Sequence, residues 1–354
     1  MKGRSRKLAF ALLGTCLALG GLELLASVVE RMWPLAPLRP LPKPGSEACL
    51  PDCMPGMAAL PEPPSGLPRG IPMVPHGRRA WSLQPNSTMV ETNVAVRVNS
   101  MGLRGPEIGN KAAGERRILT LGDSSVFGFG VDEDAVFSSV AARDLARQWG
   151  VEVTPVIGAT PGYTSVQALQ TLEDVGARVQ PDIVVIATLW SDLFQTDVPV
   201  ERSGGQKHPS ALYRVSVRLL SPWLPAPTVG WTEGDVGAEK LGRTARVGLD
   251  RFTRTLNDLV AKTRKLGGKP VILILPAPID LDREPTPGLI AAYRGALKQV
   301  AAKHALMVVD GPAVFKKNGA SNREFFDQVH PSVSGHLWLG EALAKALASE
   351  GAAK

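Results

Sequence analysis

The feature that most constrains the fold is an alternation of apolar strands with amphipathic helices after Gly114. The strand candidates, apolar throughout, are residues 116–121, 151–157, 182–189, 270–276 and 306–310. The helical patterns cover residues 135–149, 164–179, 249–267, 285–305 and 332–348. Strands that are apolar on both faces are typical of a parallel sheet covered by helices on both sides. The sequence therefore predicts a doubly wound α/β domain with a mainly parallel five-stranded sheet.

The first 33 residues have the composition of a targeting segment. A basic head, MKGRSRK, precedes an apolar run over residues 8–22, which Glu23 interrupts and residues 24–29 continue. The run of 15 residues suits a cleaved signal peptide, whereas the 22 residues from 8 to 29 are long enough to span a membrane. We expect an uncleaved signal-anchor helix with a cytoplasmic N-terminus and a periplasmic or otherwise extracytoplasmic domain. Secretion after cleavage is the alternative.

Two further segments separate this targeting segment from the domain. Residues 34–80 are rich in proline and predict an extended linker. Cys49 and Cys53 lie in it, and export would favour a small disulfide loop between them, with two free thiols as the alternative. Residues 81–115 form a short β extension, because Val90–Val98 alternates apolar and polar residues. The main domain then covers residues 116–350.

One insertion interrupts the alternation within that domain. Residues 190–247 mix glycine, proline, tryptophan and charges, with one helix-like piece at residues 211–220. The insertion follows a strand's carboxyl end, which is the edge where open α/β sheets bind ligands. It is either a lid or wall for a substrate or a surface loop without a role.

Charge and motifs exclude several classes of function. The formal net charge is +7, and Lys2, Arg4, Arg6 and Lys7 supply four of those charges. No basic cluster interleaved with aromatic residues is present, so nucleic acid is not an expected partner. The sequence has no phosphate-binding loop, and Gly128-Phe-Gly130 lacks the third glycine of a dinucleotide fingerprint. Histidines and cysteines are scattered, so we predict neither a metal site nor a cofactor.

Residues suited to nucleophilic catalysis follow the first and the last predicted strand. Ser124 ends the stretch LGDS after the first strand, and FFDQVH after the last strand contains Asp327 and His330. In a parallel sheet both loops lie at the same edge. Asp327 can orient one ring nitrogen of His330 and leave the other free to take a proton from a hydroxyl. The alternative for the Asp-x-x-His pair by itself is a turn cap beside a surface histidine.

These stretches resemble blocks of the GDSL/SGNH hydrolase family. LTLGDSSVFGFGV is similar to the family's first block and DQVHPSVSGH to its last, while VNSMGLRGPE and PGYTSVQAL are similar to segments of its members. The resemblance covers about residues 95–350 and implies an SGNH, flavodoxin-like fold. It also implies that Ser124 is the nucleophile, His330 the general base and then general acid, and Asp327 the residue that orients His330.

The middle blocks depart from the family's pattern. The resemblance implies an oxyanion hole made of the Ser124 N–H, the N–H of a glycine and the side chain of an asparagine. Here Ala159, next to Gly158, takes the glycine position, and Ser191 takes the asparagine position. A backbone donor survives the first change, whereas a serine hydroxyl reaches less far than an asparagine amide. These departures indicate a substrate that sits closer, a slow enzyme or a domain that has drifted towards binding.

The resemblance gives further residues supporting roles. Asp123 supports the nucleophile, and Asp192 is expected to hold the third-block loop in place. His336 is expected to pack or cap at a helix start rather than to take part in catalysis. Asn99 and Arg104 are expected to pin the N-terminal extension to the sheet.

The sequence thus predicts a serine esterase or acyl hydrolase that works through an acyl-enzyme. Its substrate would be an ester borne by a glycan, a lipid or a small molecule, and its N-terminal helix would place it at a membrane. Two alternatives remain. One is an O-acyltransferase that uses the same triad, and the other is a weakly active or inactive binding module on the same scaffold.

Overall fold

A computed structural model describes residues 18, 20–29, 70–71, 73–91, 94–193, 195–196, 212, 244–281 and 288–351. The N-terminal extension contains the strands β1 (Met73–His76), β2 (Ala80–Leu83), β3 (Ser87–Glu91) and β4 (Val94–Val98). The main domain contains β5 (Arg116–Gly122), α1 (Ser124–Phe127), α2 (Phe137–Trp149), β6 (Val153–Ile157), α3 (Ser165–Val179), β7 (Ile183–Ala187), α4 (Trp190–Leu193), β8 (Gln195–Thr196), β9 (Thr244–Ala245), α5 (Leu249–Lys265), β10 (Lys269–Ile274), α6 (Gly288–His304), β11 (Met307–Asp310), α7 (Gly311–Lys317) and α8 (Val333–Gly351).

The central sheet has five parallel strands in the order β11-β10-β7-β5-β6. Numbered along the chain these strands follow the doubly wound order 2-1-3-4-5, whose direction of winding reverses between β5 and β7. Because crossovers between parallel strands are right-handed, this reversal places helices on both faces. The helices accordingly pack as two groups, α2 against α8, and α3 with α5 and α6. The predicted five-stranded α/β sheet is confirmed.

The three central strands of this sheet, β5, β7 and β10, are buried for most of their length, as the apolar runs indicate, whereas only one of the four residues of the edge strand β11 is buried. All five residues of β7 are buried, and so are the last five residues of β10. The predicted helix at residues 249–267 is observed at Leu249–Lys265, and that at residues 135–149 at Phe137–Trp149. Helix α7 was not predicted, because its seven residues are too few to display a clear 3.6-residue period.

The N-terminal extension consists of two antiparallel pairs, β1 with β2 and β3 with β4. The second pair agrees with the alternation at Val90–Val98. The first pair begins at Met73, inside the predicted linker, so the β structure starts earlier than residue 81. The reason is a long-range contact that composition does not reveal. Arg78 Nη1 donates to Asp174 of α3 over 2.8 Å, and Arg79 Nε lies 3.1 Å from the same carboxylate.

Arg104 joins this extension to the sheet. Its backbone forms a bridge with Ile157 at the end of β6. Its buried guanidinium donates to the carbonyl oxygens of Phe127 and Gly128 over 2.6 and 2.8 Å, and to that of Val131 over 2.5 Å. Asn99 shapes the turn before it, since its Oδ1 accepts two backbone N–H groups. The contacts of Arg104 agree with the pinning role expected from the sequence, whereas the side-chain contacts of Asn99 stay within the extension.

The targeting segment is described only in part. Residues 18 and 20–29 are helical, with Leu22, Leu24 and Leu25 exposed. Within the described ranges, no helix combines the length and the apolar character that a membrane crossing requires. The predicted N-terminal membrane helix is therefore not found, and residues 1–17 of that segment lie outside the described residues. Cys49 and Cys53 also lie outside them.

The two ends of the insertion lie side by side. After β7 the chain forms α4 and then β8, which pairs antiparallel with β9 through Gln195↔Ala245 and Thr196↔Thr244. Apart from residue 212, the interior from 197 to 243 is outside the described residues, and so is most of the predicted helix at residues 211–220. The insertion thus leaves and rejoins the domain at the carboxyl edge of the sheet.

Candidate active site

The turn after β5 holds Ser124 at the edge of the sheet. The strand ends at Gly122, and the side chain of Asp123 caps α1 by accepting the N–H of Ser125 over 3.0 Å. Ser124 is the first residue of α1 and is half-buried. The helix lasts one turn and ends at Gly128, whose φ of 85° lies in the left-handed region that favours glycine. The sharp strand-to-helix turn therefore leaves the Ser124 hydroxyl at the carboxyl edge of the sheet.

A continuous hydrogen-bonded chain joins Ser124, His330 and Asp327. The Ser124 Oγ lies 2.7 Å from His330 Nε2, and His330 Nδ1 lies 2.6 Å from Asp327 Oδ2. The other carboxylate oxygen of Asp327 accepts the backbone N–H groups of Val329 and His330, each over 2.9 Å. The residues predicted from the two ends of the domain are thus brought together, in the order that a nucleophile, a base and an orienting acid require.

The electrostatics of this pair favour a charged His330 ring. Burial works against charge on both groups, yet the pKa of Asp327 is lowered, because the His330 ring and two backbone N–H groups stabilise its carboxylate. Burial likewise opposes protonation of His330, but the charge and hydrogen bond of Asp327 outweigh it and raise the pKa of the ring. His330 is therefore suited to hold a proton taken from Ser124 during a reaction.

Two contacts that the sequence did not predict hold His330 in place. The ring of Phe129 stacks on the imidazole with 4.6 Å between centroids and 29° between planes. Ser125 Oγ donates to the carbonyl of Val329 over 2.9 Å and so ties the nucleophile turn to the histidine loop. The only sequence signal was the glycine on each side of Phe129. Those glycines let the loop fold back, but they do not identify its partner.

The three donors expected for an oxyanion hole are all available. The described residues offer no acceptor to the backbone N–H of Ser124 or to that of Ala159. The hydroxyl of Ser191 is buried and likewise has no partner among them. An N–H or O–H removed from water without a partner costs free energy, so such groups are typical of sites that a ligand completes. Among the described residues, all three groups are therefore without a competing acceptor.

The geometry also settles which residue of the second block can donate. The N–H of Gly158 is already bonded to the carbonyl of Thr120 over 2.8 Å, whereas that of Ala159 is not. A Cβ on residue 158 would lie 2.8 Å from Leu119 Cδ1 and 3.0 Å from Leu121 Cδ2. A side chain at 158 would therefore have to displace the tips of these two leucines, which favours glycine there. At 159 the alanine methyl is accommodated with 1% of the residue exposed.

The acidic residues beside the site hold its loops. Asp123 Oδ2 accepts the N–H of Ser191 over 3.1 Å, and burial raises the pKa of Asp123. Asp192 accepts both the N–H and the hydroxyl of Ser165, at 2.9 and 2.6 Å, and so fixes the start of α3. Burial, with the charge of Asp123 added, raises the pKa of Asp192 to about 7. The loop-holding role expected of Asp192 agrees with these contacts.

His336 lies outside this chain of contacts. It is fully buried, and its Nδ1 accepts the backbone N–H of Phe137, the first residue of α2, over 3.2 Å. Its ring also stacks on the Phe137 ring, with 5.8 Å between centroids. Burial, aided by the charges of Arg104 and His330, lowers the pKa of His336 to about 3. These contacts agree with the packing and capping role expected of it.

The described residues contain no group of three or more histidine, cysteine, aspartate or glutamate side chains that could hold a metal ion.

Residues 120–338 match the model of the GDSL-like lipase/acylhydrolase family. The chain belongs to this family. Comparison with curated proteins gives no match. Solved structures with a similar fold include a lipase/acylhydrolase from Enterococcus faecalis, with 18% identity, a TM-score of 0.45, and coverage of 66% of this chain and 96% of that one. A catalytic mutant of an acetylxylan esterase from Geobacillus stearothermophilus has 20% identity, a TM-score of 0.44, and coverage of 68% and 96%. As a GDSL-like acylhydrolase, the protein is a serine hydrolase of the esterase type.

Proposed function

We propose that the domain is a serine esterase in which Ser124, His330 and Asp327 form the catalytic triad. The observation that carries the proposal is the unbroken chain from Ser124 Oγ to His330 Nε2, at 2.7 Å, and from His330 Nδ1 to Asp327, at 2.6 Å. Both distances are those of strong hydrogen bonds. A serine and a histidine in direct contact, with the histidine oriented by an acid, are the arrangement that nucleophilic acyl transfer needs.

The reaction would begin with attack of Ser124 Oγ on the ester carbonyl carbon. The hydroxyl proton passes to His330 Nε2 as the new carbon–oxygen bond forms. The carbonyl oxygen becomes an oxyanion, which the N–H groups of Ser124 and Ala159 and the hydroxyl of Ser191 can stabilise. When the tetrahedral intermediate collapses, His330 returns its proton to the departing alcohol, and the acyl group remains on Ser124.

The second half of the reaction reverses these roles. Water takes the place of the alcohol, and His330 accepts its proton while the water oxygen attacks the acyl carbon. Collapse then breaks the bond between the acyl carbon and Ser124 Oγ, which takes the proton back from His330 as the acid is released. Asp327 remains a carboxylate throughout, since its lowered pKa reflects stabilisation by the imidazolium that forms twice in each cycle. An acceptor hydroxyl in place of water would give acyl transfer by the same steps.

The substrate class proposed is an ester on a glycan, a lipid or a small molecule outside the cytoplasm. The basic head and apolar run of residues 1–29 support this location, together with the proline-rich segment before residue 70. A fusion of residues 1–80 to a reporter enzyme that works only after export tests the location. Reporter activity in the membrane fraction is expected, and activity confined to the cytoplasm would contradict it.

The triad itself is tested with the full chain, as wild type and as Ser124→Ala. Hydrolysis of p-nitrophenyl acetate and labelling by a fluorophosphonate are measured for both proteins. The matched control is Ser349→Ala, which removes an exposed hydroxyl on α8. We expect Ser124→Ala to lose both signals and the control to keep them. Equal hydrolysis by wild type and Ser124→Ala would overturn the proposal, and absence of labelling would favour a binding module.

A further inference from the structure

The segment that returns from the insertion makes two contacts with the candidate active site. The backbone N–H of Val247 donates to the carbonyl of Asp192 over 3.2 Å. The neighbouring Arg246 sends its Nη1 to the carbonyl of Gly162, 3.0 Å away. Asp192 is next to Ser191, and Gly162 is three residues after Ala159. Two consecutive residues thus bind the two loops that carry Ala159 and Ser191, the proposed second and third donors of the oxyanion hole.

The order of the strands shows that these two hydrogen bonds join loops on either side of the turn at Ser124. Asp192 follows β7 and Gly162 follows β6, and β5 lies between those strands in the sheet. Neighbouring strands are about 4.8 Å apart, so β6 and β7 are separated by about 10 Å. An arginine is long enough to connect loops at that separation. The connection therefore spans the carboxyl end of β5, which continues into Ser124.

The charge of Arg246 suits this place. Burial lowers the pKa of Arg246, while the nearby carboxylates of Asp192 and Asp123 oppose that effect. No carboxylate of the described residues lies within ion-pair distance of its guanidinium, whose one hydrogen bond there is to Gly162. The contact is therefore a charge-assisted bond to a backbone carbonyl, stronger than a bond between neutral groups.

The same loop is held from its other side by the N-terminal hairpin. Trp81 Nε1 donates to the carbonyl of Pro161 over 3.3 Å, and Tyr163 Oη donates to the carbonyl of Trp81 over 2.6 Å. The two aromatic rings are 5.7 Å apart. Three consecutive residues of the Ala159 loop are thus fixed by elements that lie outside the α/β core.

We infer that Arg246 is a positioning residue of the oxyanion hole. It fixes the Ala159 loop relative to the Ser191 loop, so that the N–H and the hydroxyl converge on one oxygen. The requirement is strict in this chain because a serine hydroxyl reaches less far than an asparagine amide, and a misplacement of about 1 Å can cost on the order of 100-fold in rate. The inference rests on the proposed function for its effect on rate, but not for its effect on the loop.

Two substitutions separate the apolar stem of this side chain from its charged donor group. Arg246→Met keeps an unbranched apolar chain and removes both charge and donors, whereas Arg246→Lys keeps the charge and one donor group. The matched control is Arg251→Met on the exposed face of α5. Amide hydrogen exchange of residues 158–164 is measured by mass spectrometry for each full-length variant, together with kcat and KM for p-nitrophenyl acetate.

We expect Arg246→Met to speed exchange in residues 158–164 at least tenfold and to lower kcat by about 10- to 100-fold with KM nearly unchanged. Arg246→Lys should recover part of both effects, and Arg251→Met should show neither. Unchanged exchange in Arg246→Met would overturn the inference whatever the activity. A rise in KM alone would overturn it as well, because it would make Arg246 a substrate contact. Faster exchange in a chain without Ser124-dependent hydrolysis would support the loop contact and reject the proposed function.

Discussion

Ser191 donates its backbone N–H to the carboxylate of Asp123 over 3.1 Å. The residue before Ser124 therefore holds the residue whose hydroxyl we propose as the third donor of the oxyanion hole. The hydroxyl of Ser191 is not used in this contact and remains buried without a partner among the described residues. The contact with Asp123 involves only the backbone of residue 191, so it does not depend on which side chain stands there.

Replacement of the Ser191 side chain tests whether its hydroxyl stabilises the oxyanion. Ser191→Ala should lower kcat for p-nitrophenyl acetate by about tenfold or more, because a donor aimed at developing charge is lost while the contact with Asp123 remains. Ser191→Asn should raise kcat, since an amide reaches further than a hydroxyl. Steady-state kinetics of the two variants check this. A rate in Ser191→Ala equal to that of the wild type would remove Ser191 from the hole.

The pairing of Asp327 with His330 predicts a pH dependence. The pKa of His330 is raised above 6.5, with the charge and hydrogen bond of Asp327 as the causes that raise it. Since the neutral ring is the base, kcat/KM should increase with pH through a pKa above 6.5. In Asp327→Asn this charge is lost, so the acid limb should move to lower pH while kcat falls by about 1,000- to 10,000-fold.

The same shift can be measured directly, by NMR titration of the His330 ring protons in both proteins. Asp134→Asn is a suitable control, because Asp134 is exposed and its replacement changes the net charge by the same amount as Asp327→Asn. A His330 pKa that is equal in the wild type and in Asp327→Asn would contradict the electrostatic role given to Asp327.

The sequence predicted the sheet, and the closeness of Ser124, Asp327 and His330, for a physical reason. Strands buried on both faces must be apolar throughout, so each strand has a local signature that composition alone reveals. Ser124 and His330 each belong to a short block at a strand's carboxyl end, and parallel topology forces such blocks to one edge. Local pattern and topology were therefore sufficient for these parts.

The contacts that position the residues of the candidate site have no signature in the local sequence. Phe129 stacks on the ring of His330, 201 positions later in the chain. Arg246, which follows the insertion, donates to the carbonyl of Gly162, which precedes it. Any loop residue of suitable size could occupy such a position, so only the tertiary structure identifies the partner. The same holds for the hairpin that starts at Met73, because its turn is anchored by carboxylates on α3.

The buried side chain of Arg104 should contribute strongly to the free energy of unfolding. Its guanidinium satisfies three carbonyl groups of the loop after Ser124, and burial lowers its pKa only to about 10, so it stays charged at neutral pH. Arg104→Met should lower the free energy of unfolding by about 3 kcal/mol, because buried acceptors lose their donors. Arg97→Met, at an exposed ion pair with Glu133, should cost less than about 1 kcal/mol. Urea denaturation measures both, and equal losses would contradict this account.

The buried His336 should make the free energy of unfolding sensitive to acid. Its pKa is about 3 in the folded chain, against the usual value of 6.5 when exposed. Between those values the unfolded state binds a proton that the folded state does not, so the free energy of unfolding falls as pH decreases. The effect begins near pH 6.5 and is complete near pH 3. From pH 6.5 to 5 it amounts to at most about 2 kcal/mol.

His336→Gln keeps an acceptor for the Phe137 N–H and removes the titration. We expect this variant to be less stable than the wild type at pH 7.5, because the stacking on the Phe137 ring is lost. Its stability should nevertheless fall less steeply than that of the wild type between pH 6.5 and 5. Urea denaturation at several pH values gives both slopes, and the difference between them isolates this residue from the carboxylates that titrate in both proteins. Parallel slopes would mean that His336 already carries a proton in the folded chain.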